Sequence, residues 1–145
     1  MNQVVVKQEK SGYQIVEAYK SLRTNLQFCG EDKKVIAITS CTPNEGKSSV
    51  SMQLGISLAE IGKRVILIDA DLRKSVLLGR TKTEKSVRGL AHFLSGQASL
   101  EDVICATNIK NFYMIYSGPF PPNPAELLGC LLYTSPSPRD YAASR

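Results

Sequence analysis

No apolar run in this 145-residue chain approaches the ~20 residues that span a bilayer. Met1-Asn2-Gln3-Val4 has neither the basic start nor the long apolar core of an export signal, so a cytoplasmic address is expected. Tryptophan is absent and histidine occurs once, as His92, without a cysteine or histidine at ligand spacing. The four cysteines, Cys29, Cys41, Cys105 and Cys130, form no C-x-x-C pair. A structural zinc site is therefore not expected, and the thiols read as reduced and unpaired. No internal repeat is visible. The net charge is +5, but its lysines and arginines are dispersed and lack interleaved aromatics, so they read as a solvated surface rather than a nucleic-acid platform.

The composition, 43% hydrophobic and 21% charged, is that of a folded globular domain, and the length suits one. Ser11 and Gln14 have capping-box spacing, and Ile15, Tyr19, Leu22 and Leu26 recur on one helical face, which Gly30 is placed to end. Val35-Ile36-Ala37-Ile38 reads as a buried strand. Val50, Leu54, Leu58 and Ile61 mark a second helix, closed by Gly62, and Val65 to Ile68 a second strand buried on both faces. Strand, helix and strand at this spacing make a βαβ unit. Farther on, Gly89 to Leu94 and Leu100 to Ile104 read as short helices and Phe112 to Tyr116 as a third strand. His92 falls in the first of these helices, as a partly buried residue without a catalytic role. Asn123 and Pro124 suit the cap and first position of another helix.

Cys41-Thr42-Pro43-Asn44-Glu45-Gly46-Lys47-Ser48 matches the phosphate-loop pattern G-x-x-x-x-G-K-[ST] except at its first position. In such a loop Thr42, Pro43, Asn44, Glu45 and Gly46 wrap the phosphates, and the backbone N–H groups of all but Pro43, with the following helix start, converge on phosphate oxygens. Gly46 lets the backbone approach closely. Lys47 reaches the β- and γ-phosphates, Ser48 ligates magnesium, and Ser49 is placed for the α-phosphate. After the next strand, Asp69-Ala70-Asp71-Leu72-Arg73 puts two carboxylates where open α/β sheets hold their ligands. Either can hold magnesium through water while the other orients or deprotonates the attacking group, as phosphoryl transfer requires.

These motifs resemble the bacterial tyrosine kinases of the CpsD/CapB type. The apolar strand with D-x-D-x-R is similar to their second Walker-type motif. Glu17 to Leu26 resembles their E-x-x-R-x-x-R helix, and Pro121 to Leu128 their P-P-N-P-x-E-L-L segment. The resemblance covers roughly Glu17 to Leu128. It implies a three-layer α/β/α P-loop fold with a mostly parallel sheet, of which residues 1–129 are the N-terminal part. It also implies ATP- and Mg²⁺-dependent autophosphorylation on tyrosine, with Lys47, Asp69 and Asp71 catalytic, and control of capsular or exopolysaccharide export. The implied partners are protein tyrosine substrates, other copies of the chain bound through Glu17, Lys20 and Arg23, and a separate membrane-embedded activator or polysaccharide co-polymerase. That activator would recruit the kinase to the inner face of the plasma membrane.

The sequence departs from the family in two places. Lys20 stands where the oligomerisation motif has arginine, which keeps the charge but loses the planar fork. After Leu128 no apolar strand ending in aspartate follows, nor a tyrosine cluster. Residues 130–145 instead resemble one reading frame of a sequencing adapter and are read as non-native, so the chain as written is expected to be inactive. Two alternatives remain. One is a MinD/ParA-like ATPase switch, disfavoured because Thr42 stands where those proteins carry lysine; the other is an inactive nucleotide-binding fragment.

Overall fold

The structure, a computed structural model, describes residues 1–8, 10–41, 46–72, 75–82, 86–119, 123–126 and 128–129. Five strands form one sheet in the order β2-β5-β4-β1-β3: β1 (Asn2–Val6), β2 (Val65–Ile68), β3 (Thr81–Lys82), β4 (Cys105–Thr107) and β5 (Phe112–Ile115). Helices α1 (Tyr13–Phe28) and α2 (Lys47–Glu60) precede β2, and the short α3 (Leu90–Leu94) and α4 (Leu100–Val103) precede β4.

Alternation along β5 builds the layers. Phe112, Met114 and Tyr116 join Met52, Ile56 and Ala59 of α2 in one core cluster. Ile115, pointing the other way, joins Leu90 and Ala91 of α3 and Val103 of α4 in a second. A period of two therefore places helices on both faces, the α/β/α arrangement. Of the four pairings, β2–β5 and β1–β4 are parallel, while β4–β5 and β1–β3 are antiparallel, so the sheet is mixed. The four residues 108–111 between β4 and β5 allow only an antiparallel return. The β1–β4 pairing joins residues about a hundred positions apart, as Asn2 does with Cys105. Asn108 extends it, its Oδ1 accepting from the Val6 N–H at 2.7 Å.

Both helices expected upstream of β2 form, as do α3, α4 and the third expected strand, here β5. Residues 124–126 are helical, with Asn123 Nδ2 donating to Glu126 Oε2 at 3.0 Å. His92 lies on α3 and its Nδ1 accepts from the Gly89 N–H at 3.0 Å, a local cap. Cys29, Cys41 and Cys105 carry free thiols. No described helix is long and apolar enough to cross a membrane.

Three local expectations are corrected. Ser11 does not cap α1: the N-cap is Gly12, with no side-chain cap bond, so Ser11 and Gln14 sit outside the register a capping box needs. Val35 to Ile38 form no strand; Val35 is 73% exposed, and the sheet ends at β2 without pairing to this run. An apolar run becomes a strand only where a neighbour takes up its backbone groups. For the same reason β2 is buried on one face only. Its Ile66 and Ile68 are 48% and 52% exposed at the sheet edge, while Val65 and Leu67 pack inward. The sequence reading also missed β1, β3 and β4.

Candidate functional site

The first turn of α2 carries Lys47, Ser48 and Ser49. Its N-cap, Gly46, holds φ +77°, ψ 15°, the left-handed region that costs an L-residue about 1–2 kcal/mol. Gly46 is thus required by backbone conformation as well as by the space a phosphate needs. No side chain caps the helix and no acidic residue lies in its first turn, so its leading N–H groups keep their positive end. Thr42, Pro43, Asn44 and Glu45 lie outside the described residues, as does Arg73.

Four residues, 61–64, separate α2 from β2, and the helix packs back along that strand. The reversal turns the N-terminal end of α2 toward the C-terminal end of β2, where Asp69 and Asp71 follow. Asp69 continues the ladder, its N–H donating to the Ile115 carbonyl at 2.9 Å. It is 8% exposed. Its Oδ1 accepts from the Asp71 N–H at 3.1 Å, and its Oδ2 from the Ser75 hydroxyl. A nearly buried carboxylate must be satisfied in this way. Each oxygen keeps a lone pair for a further donor or a cation. Ser75 was not singled out from the sequence; a serine four residues beyond a D-x-D pair carries no signal until the chain folds back on itself.

Arg80 adds a contact at the α2 start, with its guanidinium donating to the Ser49 hydroxyl that the sequence reading placed for the α-phosphate. Ser51 Oγ donates back to the Lys47 carbonyl at 2.7 Å, fixing the turn.

The three helix residues expected at a subunit interface are placed in different ways. Glu17 and Lys20 pair with each other at 3.0 Å and are about half exposed. Arg23 turns inward, where its Nη1 donates to the Ser57 carbonyl at 2.9 Å and the Ser57 hydroxyl at 3.2 Å on α2. Glu60 stands at 4.0 Å from the same nitrogen. In this chain Arg23 joins α1 to α2.

Comparison with known proteins adds the relatives. The family model described as AAA domain matches residues 33–119. The tyrosine-protein kinase CpsD of Streptococcus agalactiae is 46% identical over 112 residues, which cover 77% of this chain and 49% of that protein. The chain thus spans about half the length of the curated relatives it matches. Among solved structures, the BceF tyrosine kinase domain is 44% identical with a TM-score of 0.68, over 78% of this chain and 45% of that one. The kinase domain of Escherichia coli tyrosine kinase ETK is 29% identical with a TM-score of 0.73, over 86% and 58%. With a phosphate-loop helix start and a carboxylate turn at one end of its sheet, the chain belongs to the AAA domain family of P-loop nucleotide-binding proteins, and within it is similar to the bacterial tyrosine kinases.

Proposed function

We propose that residues 1–129 are the N-terminal part of an ATP-dependent protein tyrosine kinase. The observation that carries this reading is the uncapped start of α2, with Lys47, Ser48 and Ser49, at the end of the sheet that also bears Asp69 and Asp71. Lys47 and the helix N–H groups bind the phosphates of ATP, with Thr42 to Gly46 as the loop around them. The Ser48 hydroxyl and the Asp69 and Asp71 carboxylates are hard oxygen donors. They fit Mg²⁺, which is commonly held by one or two carboxylates together with water and substrate phosphates. When bound, that ion neutralises charge on the transferring phosphoryl group.

Asp69, fixed through both of its oxygens, suits a holding role, and Asp71 suits the tyrosine hydroxyl. In the transfer the phenol oxygen bonds to the γ-phosphorus as the bond to the β,γ-bridging oxygen breaks. The phenol proton passes to a carboxylate and ADP leaves. Lys47 stabilises charge at the phosphate oxygens throughout, the kind of electrostatic assistance that dominates phosphoryl transfer.

The proposal extends to partners and place. We infer phosphorylation of protein tyrosines, including the kinase's own, and a role in capsular or exopolysaccharide biosynthesis. Self-association would run through α1, with Glu17 and Lys20 outward and Arg23 anchoring the helix. A separate membrane-embedded co-polymerase would hold the kinase at the cytoplasmic face of the membrane. The sequencing-adapter reading of residues 130–145, which lie outside the described residues, is tested by a long read through the native locus.

The decisive test is Lys47→Met in a chain carrying the complete kinase sequence, assayed with ATP and Mg²⁺ by phosphotyrosine immunoblot and mass spectrometry. Phosphotyrosine is expected from the parent and absent from the variant. Undiminished labelling in Lys47→Met would overturn the assignment.

A further inference from the structure

A second cavity adjoins α2's first turn and shares Ser49 with it. Antiparallel β1 and β3 pair Val5 with Lys82 and Val6 with Thr81. Lys7 directly follows β1, and Arg80, the last residue of the 3-10 turn Leu78–Arg80, directly precedes β3, so both lie at the same end of this pair. Neither cation has a carboxylate partner among the described residues, where the ion pairs engage Lys20, Arg23 and Lys33 instead. Both line a cavity of ≈370 Å³ between α1, α2 and the turn before β3. That volume falls in the range of small-molecule sites, about 300–1,000 Å³.

The rest of the cavity wall is amphipathic. Tyr19 and Ile15 of α1 and Met52 of α2 supply aromatic and apolar surface, and Ser49 a hydroxyl that Arg80 already holds. No carboxylate lines it among the described residues. Two cations lining one cavity beside an aromatic and aliphatic wall match a ligand with a ring at one end and a dianion at the other. A phosphomonoester carries between one and a half and two negative charges, roughly, at neutral pH. A nucleoside di- or triphosphate brings more charge and a divalent ion, for which the described lining has no acidic ligand.

We propose that this cavity binds an aryl phosphate, the phosphate between Lys7 and Arg80 and the ring against Tyr19 and Met52. That phosphotyrosine is the natural form of the ligand rests on the kinase reading; the site itself does not. Because Arg80 also holds Ser49, occupancy would be felt at the start of α2.

Phenyl phosphate is the probe, titrated into the chain by calorimetry and followed by amide chemical shifts, in the parent and in Lys47→Met, which weakens the phosphate loop. Supplying the ligand ready-made separates this test from any failure of kinase activity. Binding is expected to persist in Lys47→Met, to weaken at least tenfold in Lys7→Gln and in Arg80→Gln, and to be unchanged in Lys82→Gln. A phosphotyrosine peptide should bind and its unphosphorylated form should not. The proposal fails if phenyl phosphate does not bind, or if binding ignores Lys7 and Arg80. It fails equally if inorganic phosphate binds as tightly, which would leave the wall unused, or if AMP binds more tightly, which would make this a nucleotide site. Lys7 is exposed, so its variant tests the site even if Arg80→Gln does not fold.

Discussion

Replacing Arg23 by alanine removes a hydrogen-bonded tie between α1 and α2. α1 buries no residue completely, and a gap of ≈70 Å³ lies between it and α2. The Arg23 side chain is 15% exposed, and its guanidinium makes two hydrogen bonds to Ser57. Bonds from a charged donor contribute about 1.5–3 kcal/mol net. Glu60, largely exposed and at 4.0 Å, adds little. At about 1.4 kcal/mol per factor of ten, Arg23→Ala should raise the open population of α1 by about ten- to a hundred-fold. Hydrogen exchange read by mass spectrometry measures this directly. Peptides within Tyr13–Phe28 should exchange faster by that factor, while those from β5, at the centre of the core, change little. Lys20→Ala, which breaks only an exposed pair, should leave α1 exchange within a factor of about two. Unchanged exchange in Arg23→Ala would refute the clamp. Equal acceleration in α1 and β5 would show that α1 opens only with the whole fold.

Tyr116 is buried and its hydroxyl lies 2.6 Å from that of Thr81, which retains the Leu77 and Leu78 carbonyls at 3.4 Å; Tyr116→Phe should therefore cost about 1 kcal/mol in urea unfolding, and no loss would show the bond contributes nothing. At Gly89 an added Cβ would lie 2.3 Å from the Gly118 nitrogen, where the Leu90 and Ala91 N–H groups dock on Tyr116 and Ser117. Gly89→Ala should cost about 1–3 kcal/mol by overpacking, and an unchanged unfolding midpoint would contradict that close approach. The Ser99 backbone N–H, followed by its hydroxyl, lowers the Asp102 pKa below its ordinary 3.8. The folded state thus favours the carboxylate, so the α4 cap contributes fully above pH 3.8 and is lost as pH falls through the lower folded value. NMR titration should place the Asp102 midpoint below 3.8 and move it upward in Ser99→Ala; a midpoint that stays put would disprove the hydroxyl's part.

Sequence pattern alone determined α2, β2, β5, the glycine-lysine-serine helix start and the position of Asp69 and Asp71 after a strand. Each rests on spacing within a dozen residues, where helical or strand period and turn chemistry act locally. The resemblance to tyrosine kinases was legible for the same reason, because its motifs are contiguous. What only the tertiary structure decided depends on residues far apart in the chain. Strand pairing is non-local, so Asn2–Val6 became an interior strand through a partner a hundred residues away, while Val35 to Ile38, more apolar, found no ladder, and all but the half-buried Ile38 stayed exposed. The same non-locality turned Arg23 onto Ser57 rather than outward, brought Ser75 to Asp69, and gathered Lys7 and Arg80 at one cavity. A side chain's period names its face, but its partner is known only once the chain has closed the loop between them.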